Sequence, residues 1–431
     1  MCPRSDYGAF LRQNGGLGLR TKIFLWVMLS VLCSPALSQT GAVQIDRDLW
    51  AAMAEAVATH PSVSAARISA KAAGLDVKEA KWRRFPSVSV EGLLRAGRGD
   101  TIQPQAVIDQ PIWTGGRITS NIRKSSARKS AALAGYDEAT QSIALDVVES
   151  YHSLIRLHFR HNILMSSLGR HRDMAGSMER RVSSGTSPVS DLELARARTL
   201  QVEQQVVSAR AQEIVSLQRL RSFIGDDSYN LEFSENGQTA CPALNMVAIT
   251  TDSLVYSPTL RRLRFQAKEA AADADIVRAS TLPQVSSQYS YDEIFGHRVG
   301  LVFRAQTDGG LSRLAAVEAA DLRRRASDLQ ILAAEQNLRN QTVADFEDYT
   351  SNCERMMSGG NAAASARHVT DSYLRQFANG RRSWLDVMNA VREATAAEID
   401  TLDASSGRSA AFSRIMLRTG AWQPAGERAQ P

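Results

Sequence analysis

The chain has 431 residues, 44% hydrophobic and only 6% aromatic, with 51 lysines and arginines against 45 carboxylates. That apolar fraction excludes wholesale disorder, and 27 glycines and 4 cysteines are too few for a collagen-like repeat or a disulfide framework. The net charge of +6 is modest, and part of it lies in the first forty residues.

Those residues read as an address. Arg4, Arg12, Arg20 and Lys22 lead into an apolar run from Ile23 to Leu37, and Ala36-Leu37-Ser38 offers a small-x-small cleavage site before Gln39. The combination predicts a secretory signal peptide over 1–38. The run falls short of the roughly 20 residues a membrane helix needs, and Leu32 ahead of Cys33 is too bulky for a lipidation site. Cleavage removes those four cations against Asp6, leaving too little positive charge for a nucleic-acid partner. No later run reaches transmembrane-helix length, so a membrane location requires β-strands. Cys241 and Cys353 remain, able to pair in an oxidising compartment although nothing in their spacing requires it.

The rest of the chain is written twice. His60-Pro61-Ser62-Val63 recurs as Ser257-Pro258-Thr259-Leu260, and Phe85-Pro86-Ser87-Val88-Ser89 as Leu282-Pro283-Gln284-Val285-Ser286, at one constant offset. Gly115-Gly116 then matches Gly309-Gly310, and Gly185 with Asp191-Leu192 matches Gly380 with Asp386-Val387, in nearly the same register. Such self-similarity predicts two copies of one structural unit, over 39–224 and 253–404, joined by a linker over 225–252 and followed by a flexible tail over 405–431.

Within each unit the elements follow in a fixed order. Trp50 to Trp82 carries apolar residues every three or four positions, predicting one amphipathic helix that Pro86 stops. Val88 and Val90 alternate with Ser87, Ser89 and Glu91, the period of a strand. A glycine-rich loop at 96–104 leads to a second extended run from Gln105 to Trp113. In the second unit Val285, Ser287, Tyr289 and Tyr291 share one face, a turn covers 292–296, and Val299, Leu301, Phe303 and Ala305 form another alternating face. From Ile118 to Ser183, and from Leu311 to Phe377, apolar periodicity continues without a proline, predicting two helices of roughly 100 Å. Turns at 184–188 and 378–382 reverse them into helices over 189–224 and 383–404. Helices this long hold only side by side, and Ser358-Gly359-Gly360 predicts a kink or break in the second.

Two strands of about ten residues per unit are long enough to cross a bilayer when tilted. Four strands cannot close alone, and open edges in lipid leave backbone groups unsatisfied at several kcal/mol each. Either the strands lie outside a membrane or several chains close one barrel. Trp82, Trp113, Tyr289 and Tyr291 near the strand ends suit an interfacial girdle and equally suit an ordinary core.

The order helix, strand, strand, long helix, turn, helix, duplicated behind a signal peptide, resembles the TolC family of outer-membrane efflux proteins. The resemblance is carried by His60-Pro61-Ser62-Val63, by Gln110-Pro111-Ile112-Trp113-Thr114-Gly115-Gly116-Arg117 and by Gly380-Arg381-Arg382-Ser383-Trp384-Leu385-Asp386-Val387, and it spans about 50–404. It implies a mainly α fold with a small β part, in which three chains share an α-helical barrel topped by a β-barrel in the outer membrane. It also implies a passive exit duct engaged by a periplasmic adaptor and an inner-membrane ABC or proton-driven pump. Arg375 to Gly380 running into Ser383–Val387 looks most like members that serve type I secretion of large adhesins.

A conduit performs no bond chemistry, so the candidate sites are geometric. Ser184, Gly185, Thr186 and Ser187 in one tip, with Asn379, Gly380, Arg381 and Arg382 in the other, are the candidate adaptor-docking residues, the two glycines falling where each chain must reverse. Ser190 and Ser383 read as helix N-caps, and Asp191 and Asp386 as first-turn carboxylates that suit the helix dipole. Asp371, flanked by Arg367, His368 and Arg375, is the candidate pore constriction, because three copies around an axis would form a cation-attracting ring. It equally suits a surface pair with Arg375, and the alanine run 362–366 occupies a stretch where the family pattern implies more acid. His158 and His161 lack a third ligand at useful spacing, and Arg98-Gly99-Asp100 is a tripeptide short enough to arise by chance. No nucleophile elbow, phosphate loop or carboxylate pair stands out, so no enzyme, cofactor or metal is expected. The competing reading is a soluble periplasmic coiled-coil adaptor without a barrel.

Overall fold

The computed structural model describes residues 47–95, 101–233, 241–292, 296–305 and 312–424. The expected signal peptide, the Arg98-Gly99-Asp100 tripeptide, most of the first loop and the end of the tail lie outside the described residues. Helices α1 (Arg47–Thr59) and α2 (Pro61–Trp82) lead into strands β1 (Ser87–Arg95) and β2 (Thr101–Trp113), then α3 (Arg117–Ser183) and α4 (Val189–Ile224). The same succession follows as α5 (Met246–Tyr256), α6 (Pro258–Ala279), β3 (Gln284–Asp292), β4 (Gly296–Arg304), α7 (Ser312–Ala378) and α8 (Trp384–Thr419).

The single helix expected over 50–82 is two. His60 is extended and its ring accepts from Ser62 N–H, with Pro61 in the first turn of α2, where its missing N–H costs nothing. Ser257 and Pro258 repeat the device, the Ser257 hydroxyl accepting from Leu260 N–H. The joint lets α1 lay Leu49, Met53 and Val57 against Ile143, Val147 and Tyr151 of α3 and Leu220 and Ile224 of α4, forming the largest core cluster.

Helices α3 and α7 each run 67 residues without interruption. The kink expected at Ser358-Gly359-Gly360 is absent, because Gly359 is a contact. A Cβ there would lie 2.9 Å from Thr401 Oγ1 on α8, so the glycine lets the two helices approach. The tail is also corrected: α8 continues fifteen residues past Ala404, and only beyond Thr419 does the helix end. Ala404, Ala411 and Ile415 bury one face of that extension, and Ala410 and Leu417 bury the opposite one. Arg414 and Arg418 clamp the same turns to α7 through Asp345, at 2.6 and 2.7 Å. Small residues and buried arginine stems conceal the amphipathic period that larger apolar residues would display.

The segment expected to be only linker carries structure of its own. Asn245 caps α5 by accepting from Val247 and Ala248 N–H groups. Cys241 is joined to Cys353 of α7 by a disulfide, with 6.1 Å between their Cα atoms, and the Tyr349 hydroxyl donates to the Pro242 carbonyl at 2.9 Å.

The strands form one antiparallel sheet in the order β1-β2-β3-β4. Residues directly opposite one another share a face. Val88 and Val90 stand opposite Ile108 and Ala106, which stand opposite Tyr289 and Tyr291, and Tyr289 stands opposite Val299. Leu301 and Phe303 continue that apolar face opposite Ser287 and Val285. The other face is mainly polar, carrying Ser87, Ser89, Glu91, Gln105, Asp109, Gln288, Ser290 and Arg298 together with Val107 and Val302.

Candidate functional site

Both hairpin tips are built by the same backbone motif. At the end of α3 the Gly185 N–H donates to Val182 O at 3.0 Å and the Thr186 N–H to Arg181 O at 2.8 Å. At the end of α7 the Gly380 N–H donates to Phe377 O and the Arg381 N–H to Gln376 O, each at 2.9 Å. This pairing satisfies the last carbonyls of a helix and needs a left-handed residue after its end, which Gly185 and Gly380 supply at φ 69° and 72°.

The two tips lie against each other. The Arg181 guanidinium donates to Phe377 O at 3.3 Å and covers the Phe377 ring at 4.3 Å from its centroid. Beneath them Met174, Met178, Leu192, Trp384, Val387 and Met388 form a second core cluster. Ser184, Gly185, Thr186, Asn379, Gly380, Arg381 and Arg382 are exposed around this rigid base, while Ser187 is half-buried. The residues are not all free: Ser184 and Thr186 share a hydroxyl contact at 3.0 Å, and Asn379 donates to Arg375 O at 3.0 Å. Arg382 covers the Tyr373 ring and pairs with Asp386 at 3.7 Å. Ser383 caps α8 by accepting from Asp386 N–H. Ser190 does not cap α4; Pro188 holds that position in an extended conformation and Ser190 lies inside the helix.

Asp371 is exposed two turns before the tip of α7, and among the described residues it pairs with no cation, Arg375 included. Arg367 turns instead to Glu398 at 2.9 Å.

At the sheet, Trp82 and Trp113 are exposed near the end where the strands meet the helices, Trp82 itself at the close of α2. Tyr289 and Tyr291 sit farther along β3 toward the β3–β4 hairpin, around His297, with the Tyr289 hydroxyl 2.6 Å from His297 Nδ1. The four aromatics therefore fall at two levels of one sheet.

The histidine pair gains the carboxylate that sequence spacing concealed. Glu213 of α4 reaches His158 at 2.8 Å, His161 at 3.8 Å and Arg210 at 2.9 Å, and Phe233 stacks on the His158 ring. Burial pushes the Glu213 carboxyl up, but the hydrogen bonds from His158 and Arg210 outweigh it and hold the group below the usual carboxylate range. The result is an ionic knot between α3 and α4. Among the described residues no group of three or more His, Cys, Asp or Glu is arranged to hold a metal.

Several helices leave apolar seams uncovered. Ile68 and Leu75 on α2, Leu200, Val207 and Ile214 on α4, and Leu322 and Leu329 on α7 recur at seven-residue intervals, each more than half exposed. A seven-residue apolar repeat is the pattern by which long helices meet neighbours.

Residues 52–226 match the family model described as outer membrane efflux protein. Comparison with curated proteins gives no sequence match. Solved structures share the fold across both repeats. A membrane protein from Pseudomonas aeruginosa superposes with TM-score 0.77 at 15% identity, covering 89% of this chain and 92% of that one. The outer membrane protein VceC of Vibrio cholerae gives 0.71 at 15%, covering 86% and 96%. The Campylobacter jejuni CmeC outer membrane channel gives 0.70 at 13%, covering 89% and 88%.

Proposed function

We infer that this chain is an outer membrane efflux protein of the TolC-like kind and that three copies assemble into the exit duct of an efflux or type I secretion system, a reading supported by the family-model match over residues 52–226. On this reading the protein lies in the outer membrane with its helices in the periplasm and acts as a passive conduit rather than an enzyme. The trimer is our own step. Its main support is the four-stranded sheet with one mainly apolar and one mainly polar face and with β1 and β4 as its edges. Apolar-out and polar-in alternation belongs to a membrane barrel around water, and in lipid the two edges must find partners. Joining β4 of one chain to β1 of the next closes the ring, and the seven-residue seams of α2, α4 and α7 give neighbouring helices a matching repeat.

In this assembly Trp82 and Trp113 would mark one membrane interface, with Tyr289 and Tyr291 nearer the other. The paired tips, Ser184 to Ser187 and Asn379 to Arg382, would face the periplasmic adaptor that links the duct to an inner-membrane pump. Asp371 in triplicate would ring the tunnel near its mouth. Cell fractionation combined with heat-modifiable gel migration tests the reading. Wild type is expected in the outer membrane as a band near three chain masses that collapses on boiling, and Val207→Asp should weaken that band by burying a charge in the seam. A soluble single chain in the periplasm would overturn it.

A further inference from the structure

The joint between α2 and β1 carries a segment that the fold does not require. Lys81-Trp82-Arg83-Arg84-Phe85 closes the helix and enters the strand, and no carboxylate occurs from Lys81 to Val90. Trp82 is 68% and Phe85 58% exposed, with their rings 5.1 Å apart. Arg83 pairs with Glu79 at 2.7 Å. Lys81 and Arg84 are exposed and pair with no carboxylate among the described residues. The segment runs directly into Val88 and Val90 on the apolar face of the sheet.

The second repeat shows what the joint needs structurally. There Ala279-Ser280-Thr281-Leu282 stands at the matching positions, Ala279 buried, and makes the same helix-to-strand passage before Pro283. Arg278, the cation matching Lys81, is neutralised by Asp275 and Asp321. Two unpaired cations and two exposed aromatics are thus peculiar to the first repeat.

We propose that Lys81-Trp82-Arg83-Arg84-Phe85 is a binding surface for the headgroups of anionic phospholipids. The proposal rests on the membrane reading above, which sets this joint at the periplasmic leaflet. Amphipathic aromatic rings settle at the headgroup level beside apolar strands, and cations there attract anionic lipid, each contributing roughly fivefold in partition. Lys81 and Arg84 supply that charge, while Trp82 and Phe85 set its depth.

The test offers the purified detergent-solubilised protein an equimolar mixture of phosphatidylglycerol and phosphatidylcholine and counts the retained lipids by native mass spectrometry. Wild type should retain phosphatidylglycerol in roughly twentyfold preference. The variant carrying both Lys81→Gln and Arg84→Gln should retain the two equally, and Arg392→Gln, an exposed arginine near the tip hairpin, should behave as wild type. Conductance in pure phosphatidylcholine bilayers reports separately on the duct. A wild type that conducts yet retains both lipids equally, or a double variant with undiminished preference, overturns the lipid surface alone. A wild type that neither assembles nor conducts overturns the duct and this surface together.

Discussion

Glu213 illustrates how much a single residue depends on partners distant in the chain. Its side chain is 7% exposed and faces His158, His161 and Arg210. Removing one side of a buried ionic cluster leaves the rest uncompensated, so Glu213→Ala should destabilise the protein by about 3 kcal/mol. The folded carboxyl titrates below its unfolded value, so the stabilisation is complete above the unfolded value and is lost as pH falls through the folded one. Urea midpoints of wild type and variant should therefore converge on acidification, and a gap that widens would contradict this account. The tips were legible at residue scale, because Gly185 and Gly380 fall where a left-handed residue must end each helix. The knot was not: Glu213 lies beyond any local window around His158, and only the hairpin brings them together.

At the scale of elements, the long helices were legible from sustained periodicity without proline, and the strands from alternation. The extension of α8 was missed because its buried positions as far as Ser413 are written in alanine, serine and arginine and fall on two opposite faces. The joints at Pro61 and Pro258 were visible as a repeated motif, although only the capping contacts of His60 and Ser257 explain why each divides a helix. The glycine pair in α7 was read by propensity alone, and contact reverses that reading for one of the two. Gly360 has nothing within 4 Å of an added Cβ, so Gly360→Ala should stabilise by about 1 kcal/mol. Gly359→Ala should lose that gain or destabilise, because its methyl meets Thr401 Oγ1, which is itself held by Ala397 O at 2.8 Å. Thermal midpoints that rise equally for both variants would refute the close approach of α7 and α8.

For the whole molecule, duplication is the feature most plainly written in the sequence, and it carries through from the prolines to the matched tips. The disulfide between Cys241 and Cys353 was left open because the two lie 112 residues apart, and only the packing of the inter-repeat segment on α7 sets them within bonding reach. Under the proposed assembly, two sheet edges, one mainly apolar face and three exposed seams would all be covered at once by identical chains around an axis. Detergent-corrected light scattering on the purified protein, followed by reconstitution of the same fraction into planar lipid, addresses this directly. The account predicts a particle of three chains that forms steady conducting pores; a monodisperse single chain that leaves the bilayer silent would contradict it.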